Sequence, residues 1–158
     1  MKLFHGSNVD FSTIDIQKCK PYKDFGQGFY LTDIYAQAEA MARRKVQIMG
    51  GTSIVQVYEF QESQLESIQL NVLRFEKPTK EWAEFIYQNR CRHKAVFHHD
   101  YDIVIGPIAD DGVAYLLNRY EEGSFTLEEL AKELEYKKLN RQFFFGTTSA
   151  VQLLKRVL

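Results

Sequence analysis

The chain has 158 residues, of which 45% are hydrophobic and 14% aromatic, and its formal net charge is −1. This length predicts a single domain over residues 1–158, and the apolar fraction is sufficient for a buried core. The balanced charge argues against a protein that binds nucleic acid through a broad basic surface.

The apolar runs are far shorter than the roughly 20 residues that cross a bilayer. The N-terminus lacks the apolar stretch of a signal peptide. Cys19 and Cys91 do not suggest a disulfide framework. We therefore expect a cytoplasmic protein with no membrane partner.

The N-terminal part of the chain predicts strands followed by a helix. A short strand is expected over residues 2–5, and residues 9–16 fit either a loop or a second short strand. Residues 29–31 form an aromatic strand. Thr32 is the predicted N-cap of the next helix, which ends at Gly50.

The middle of the chain alternates strand and helix patterns. Residues 53–60 and 68–75 are rich in β-formers and predict strands. A helix is expected from residue 78 to about 92, with one stripe formed by Trp82, Phe85, Ile86 and Asn89. Residues 101–108 are nearly all apolar, which predicts a central strand buried on both faces.

Asp110 and Asp111 follow that buried strand directly. Paired carboxylates at a strand end can act as acid and base. Aspartates also cap helices, because the carboxylate accepts from free backbone N–H groups. The cap is the favoured interpretation, and the alternative is that one of the two carboxylates reaches a cleft.

The C-terminal part begins with a helix closed by Gly123. Thr126 and Glu129 match a capping box for another helix. A short strand is expected over 142–145, and Thr147 or Thr148 caps a final helix that reaches Val157. This order is not a regular βαβ repeat, so it predicts an α+β domain in which strands from both ends of the chain meet.

A glycine and aromatic stretch near the N-terminus carries the main functional signal. It runs Asp24-Phe25-Gly26-Gln27-Gly28-Phe29-Tyr30-Leu31-Thr32, and His5-Gly6-Ser7 precedes it. Glycine permits another molecule to approach the backbone closely. The stretch suits a site for a flat ring, and it equally suits an ordinary turn into a core strand.

These motifs resemble the NAD-binding core of the ADP-ribosyltransferases, in the branch that includes diphtheria toxin and the poly-ADP-ribose polymerases. The chain is also similar to small bacterial proteins of that superfamily, through ordered blocks at residues 20–32, 102–110 and 142–147. The resemblance implies an ADP-ribosyltransferase-like single domain, with a split, largely antiparallel sheet and flanking helices.

The resemblance also implies roles for particular residues. His5, Tyr30 and Gln142 would form the catalytic set, with NAD as the substrate. His5 would bind a ribose hydroxyl and Gly6 the nicotinamide carboxamide. Ser7, Gly28, Tyr30 and Tyr35 would complete the NAD site, the two tyrosines as aromatic walls.

Gln142 departs from the members that carry a glutamate at this position. An amide can still hydrogen-bond the ribose, but it cannot act as a base and offers no negative charge to an oxocarbenium-like transition state. We therefore expect either ADP-ribose transfer to an unknown macromolecular acceptor, protein or nucleic acid, or a non-catalytic module that binds NAD-like ligands or another protein.

Small members of the superfamily act as toxins, defence effectors or modifiers, and the resemblance therefore also implies a small neutralising partner protein. A metal-dependent hydrolase is a weaker hypothesis, based on His93, His98 and His99. Their spacing fits no zinc pattern, so no metal site is expected.

Overall fold

The described residues, 1–135 and 137–158 of the computed structural model, form a mixed α+β domain with two sheets. The first sheet is antiparallel, with the order β1 (Lys2–Ser7), β3 (Ile54–Glu59) and β7 (Lys155–Arg156). The second has the order β2 (Phe29–Leu31), β6 (Arg141–Phe145), β5 (Ile103–Pro107) and β4 (Val72–Arg74). Only the β4–β5 pair is parallel among these described strands.

Helices flank both sheets. They are α1 (Tyr35–Met49), α2 (Lys80–Arg90), α3 (Asp111–Glu121), α4 (Leu127–Leu134) and α5 (Thr148–Val151), with 3-10 turns at Ile16–Lys18 and Glu62–Glu66. Within the described residues, none of these helices has the length and apolar character needed to cross a membrane.

The second sheet separates two hydrophobic clusters. Side chains alternate between the faces of a strand, so neighbouring residues of β6 enter different clusters. Phe143 and Phe145 pack with Phe29, whereas Phe144 packs with Trp82 and the α2–α4 side. Every residue of β5 is buried, as its apolar run predicts.

The predicted caps of the C-terminal helices are confirmed. Asp110 accepts a hydrogen bond from Val113 N at 2.8 Å and is the N-cap of α3. Thr126 and Glu129 form the capping box of α4. Thr147 caps α5. These signals are local in sequence, which is why they could be identified without tertiary information.

The predicted N-cap at Thr32 is wrong. Helix α1 begins later, at Tyr35, and its N-cap is Ile34. Thr32 instead exchanges backbone hydrogen bonds with Phe4, at 2.8 and 2.9 Å, and its hydroxyl accepts from Ile34 N. Pairing with a distant strand has therefore overridden the local capping preference.

Residues 9–16 contain no strand among the residues described, which agrees with the loop alternative, and a 3-10 turn begins at Ile16. Two other segments differ from the prediction. The strand expected over 68–75 is reduced to Val72–Arg74, because a turn closed by the hydrogen bond from Leu70 N to Ser67 O precedes it and leaves Ile68 exposed. The last helix ends at Val151, and Lys155–Arg156 pairs with β3.

The Phe4–Thr32 bridge joins the two sheets, and α1 packs against the same region of β1. Gly6 permits this packing. A Cβ atom there would lie 2.0 Å from Ala38 O and 2.8 Å from Ala42 N, both backbone atoms of α1. The absence of a side chain at Gly6 is therefore a condition of how the helix packs on the strand.

Gly6→Ala is expected to lower the free energy of unfolding by about 3 kcal/mol, because the added methyl group must displace the α1 backbone. Urea denaturation would measure the change. Gly112→Ala is the matched control. A Cβ there meets mainly the flexible end of Lys137, at 2.7 Å, so we expect little change. Equal stability of wild type and Gly6→Ala would contradict the close packing.

Candidate functional site

Strands β1 and β2 separate immediately after the Phe4–Thr32 bridge. If this antiparallel register continued, Gly6 would face Tyr30. Instead, Gly6 O accepts from Lys45 Nζ at 2.7 Å, and Tyr30 O accepts from His5 Nδ1 at 2.7 Å. Side chains have thus replaced the partner strand at this edge. We call the space between Gly6 and Tyr30 the β1–β2 gap.

His5 lies at the gap in a defined protonation state. Since Tyr30 O is an acceptor, Nδ1 carries the proton, and Nε2 of the neutral ring is an acceptor. Burial, and to a smaller extent the Lys45 charge, lowers the pKa of His5 to about 4, although the hydrogen bond to Tyr30 O opposes both effects. The ring stacks on Phe29, with 4.4 Å between centroids.

Gly6 presents its backbone to the gap. Antiparallel alternation directs the N–H and C=O of Phe4 and Gly6 to the same edge of β1, away from β3. Its neighbour Ser7 is buried, and the Ser7 hydroxyl accepts from Val9 N at 3.2 Å. Ser7 therefore stabilises the turn after β1.

Tyr30 holds a loop through its hydroxyl group. The hydroxyl donates to Gly26 O at 2.7 Å and accepts from Phe25 N at 3.0 Å. Burial raises the pKa of Tyr30 well above its usual value. The ring packs beside Phe25 and meets Phe144 edge-on. This side chain lies in the cluster on the α2–α4 side, so His5 contacts Tyr30 through the backbone.

Gln142 belongs to a buried polar network centred on Asp24. Gln142 Nε2 donates to Asp24 Oδ2 at 2.9 Å and lies 3.5 Å from Pro107 O. Arg90 Nε donates to Asp24 Oδ1 at 2.7 Å, and Ala109 N lies 3.4 Å from Oδ2. The amide of Gln142 is therefore occupied within the protein, with a carboxylate beside it.

Sequence reasoning missed the central role of Asp24. The residue lies in the quoted glycine and aromatic stretch, but its partners Arg90 and Gln142 are far away in sequence. A charged residue next to Phe25 within a motif was the available signal. The partners of Asp24 could not be identified without the three-dimensional structure.

Gly28 and Tyr35, two further residues predicted for the NAD site, each have a packing contact within the protein. A Cβ at Gly28 would lie 2.3 Å from Phe144 Cε2, so this glycine allows core packing. Tyr35 is 51% exposed at the start of α1 and packs edge-on against Phe4 at 5.4 Å. Phe4 and Gly6 lie on the same face of β1, and α1 packs on that face at Gly6. Tyr35, which contacts Phe4, is therefore on the α1 side of the strand.

The structure thus divides the predicted site residues into groups. His5 and Gly6 meet at the β1–β2 gap. Tyr30 and Gln142 are linked through the loop that carries Asp24. Tyr35 stands apart, as an exposed aromatic ring at the start of α1.

The segment that contains His93, His98 and His99 contacts the loop that carries Asp24. His99 Nε2 donates to Phe25 O at 2.6 Å, and His99 Nδ1 accepts from Tyr101 N at 3.2 Å. His93 lies 3.3 Å from Glu121. Within residues 1–135 and 137–158, no group of three or more His, Cys, Asp or Glu side chains is arranged to hold a metal ion.

A cavity of about 430 Å³ lies elsewhere, at the ends of β5 and β6. Its walls include the ion pair between Asp33 and Arg141 and the ring of Phe143. None of the site residues expected from the sequence lines it.

Residues 1–156 match a family model described as a protein of unknown function, DUF3990. The chain belongs to the DUF3990 family. The match covers both sheets, the β1–β2 gap and the Asp24 network, so the whole described site lies within the family domain. No curated protein and no solved structure matches the chain.

Asp24→Ala is expected to lower the free energy of unfolding by about 3 kcal/mol, because Arg90 and Gln142 lose their buried acceptor. A double-mutant cycle with Arg90→Met would measure the coupling by urea denaturation. Glu66→Ala is the control. It breaks the exposed Arg74–Glu66 pair and should change stability by less than about 1 kcal/mol. Additive effects of Asp24→Ala and Arg90→Met would show that the two side chains do not interact.

His5 should titrate near pH 4 by NMR. Its folded pKa is below the unfolded value of 6.5, so its contribution to stability is complete above pH 6.5 and is lost as the pH falls toward 4. Denaturation at several pH values should therefore show a steeper loss for wild type than for His5→Gln. A ring titrating near 6.5 would contradict the buried, neutral state.

Proposed function

We propose that this DUF3990 protein binds NAD at the β1–β2 gap and transfers ADP-ribose to a macromolecular acceptor, protein or nucleic acid. Joined at one corner by the Phe4–Thr32 bridge, the two sheets are compatible with the split sheet of an ADP-ribosyltransferase-like domain. The proposal combines the sequence resemblance with the geometry of this corner.

The observation that carries the proposal is the opened edge of β1 at Gly6. An extended residue presents one N–H donor and one C=O acceptor on the same side. A carboxamide offers the complementary acceptor and donor, so nicotinamide can pair with Gly6 much as a strand residue would. Lys45 occupies one lone pair of Gly6 O, which leaves the other for the ligand.

His5 supports the proposal through its fixed tautomer. Nε2 is an acceptor at neutral pH, and a ribose hydroxyl is a donor. Because Nδ1 is held by Tyr30 O at 2.7 Å, the ring is oriented before any ligand arrives. Positioning of this kind, rather than proton transfer, is what the breaking of a nicotinamide–ribose bond requires of the protein.

A non-catalytic NAD-binding module is the second candidate, and the Asp24 network favours it. Gln142 is bound to Asp24, whereas His5 is bound to Tyr30 O and stacks on Phe29. A glutamate at position 142 would face the Asp24 carboxylate at close range, which like-charge repulsion disfavours. In this candidate the gap holds NAD while no carboxylate reaches the ribose.

The decisive experiment is a thermal-shift titration with NAD, combined with an assay for nicotinamide release. Wild type should be stabilised by about 2.7 kcal/mol at a hundredfold excess of NAD over its Kd. His5→Gln should weaken NAD binding while keeping the fold. Tyr30→Ala is unsuitable here, because the hydroxyl group of Tyr30 holds the Asp24 loop.

Release of nicotinamide together with stabilisation would support the transferase. Stabilisation without release, even with cell-extract acceptors, would favour the binding module. No stabilisation at millimolar NAD would exclude both. Gln17→Ala is a useful control, since Gln17 is exposed and its side chain is not part of the gap.

A further inference from the structure

The cavity at the ends of β5 and β6 has a floor formed by one face of the second sheet. In the register of that sheet, Ile105 pairs with Arg74 of β4 and with Phe143 of β6. Residues directly opposite one another in a sheet point to the same face. The side chains of Ile105 and Phe143 therefore form an apolar floor, with Arg74 beside it. The volume of about 430 Å³ lies within the range of ligand pockets.

The two arginines of the cavity wall are already paired with carboxylates. Arg141 Nη2 lies 2.7 Å from Asp33 Oδ2. The Arg141 guanidinium group also packs over the ring of Phe143, 5.0 Å from its centre. Arg74 Nη2 lies 2.8 Å from Glu66 Oε1. The positive charge of each arginine is therefore balanced within the protein.

Two carboxylates of the wall lack such a partner. Glu62 begins the 3-10 turn that precedes β4, Glu76 follows β4, and both are exposed. In the part of the chain that the structure describes, neither takes part in a salt bridge. The ammonium group of Met1, also a wall residue, donates instead to Phe60 O at 2.7 Å. The cavity thus combines an apolar floor with two carboxylates that have no counter-charge in contact.

We propose that this cavity binds a basic side chain, arginine or lysine, of a partner protein. Such a side chain has an apolar stem and a cationic head, and it buries the stem while the head stays close to water. The stem packs on Ile105 and Phe143, and the head lies beside the carboxylates of Glu62 and Glu76. The same carboxylates repel the phosphate groups of a nucleic acid.

The cavity and the β1–β2 gap lie toward opposite ends of β1. Met1 is in the cavity wall and Gly6 borders the gap, and an extended chain between these two residues spans about 16 Å. A protein anchored by one side chain in the cavity can therefore present another residue to the gap. This identifies the macromolecular acceptor as a protein. That step rests on the proposed function, whereas binding of the side chain does not.

The test is an NMR titration of the isotope-labelled protein, without NAD, using short capped alanine peptides that carry either arginine or citrulline at the centre. Citrulline has nearly the shape of arginine but no charge. At millimolar concentration, the arginine peptide should shift the amide resonances of Ile105 and Phe143. Glu62→Gln/Glu76→Gln should bind it about fivefold more weakly than wild type. The citrulline peptide should bind wild type and this double variant equally weakly.

Glu84→Gln/Glu133→Gln is the matched control, because it removes the same charge from exposed positions outside the cavity. It should bind the arginine peptide as tightly as wild type does. Equal affinity of wild type for the two peptides would overturn the inference, as would an equal loss of affinity in the control or an absence of shifts at Ile105 and Phe143. Shifts caused there by a single-stranded oligonucleotide, and not by the peptide, would overturn it in favour of a nucleic acid.

These outcomes are distinct from those of the NAD experiment. Charge-dependent peptide binding by a protein that does not bind NAD would support the cavity site and count against the transferase. Nicotinamide release without peptide-induced shifts at Ile105 and Phe143 would support the transferase and overturn the cavity site.

Discussion

The pair of backbone hydrogen bonds between Phe4 and Thr32 determines the arrangement of this protein. It is the connection through which β1 of one sheet meets β2 of the other. One residue further along, the strands have separated, and His5 and Lys45 satisfy the carbonyl groups that continued pairing would have satisfied. The same contact therefore joins the sheets and leaves β1 without a partner strand at Gly6.

A second polar centre keeps that edge in place from the other side of β2. Asp24, Arg90 and Gln142 link the loop before β2 to α2 and β6, while Tyr30 and His99 bind the backbone of the same loop. A buried charge needs several partners, because an unpaired carboxylate in the interior is strongly disfavoured. The network is thus a strong constraint on the position of β2.

Local signals in the sequence predicted much of this fold. The all-apolar segment around Ile105 identified the buried central strand, and the caps at Asp110 and Thr126 were correct because capping depends on neighbouring residues. The predicted cap at Thr32 was wrong because the backbone N–H and C=O of Thr32 pair with Phe4, a residue distant in sequence. The motifs identified His5 and Tyr30 as candidate site residues. The Asp24 network, by contrast, depends on contacts between residues far apart in sequence, and the periodicity of apolar residues carries no information about such contacts.

The hydrogen bond between Gln142 and Asp24 joins residues 118 positions apart. Strand β2 pairs with β6, so it has no partner in its own sheet until the chain beyond Arg141 has been synthesised. Contacts of such long range close slowly, because much of the chain must be ordered first. On a ribosome, Asp24 would consequently remain without its Gln142 partner, and β2 without its neighbour in the sheet, until β6 has emerged.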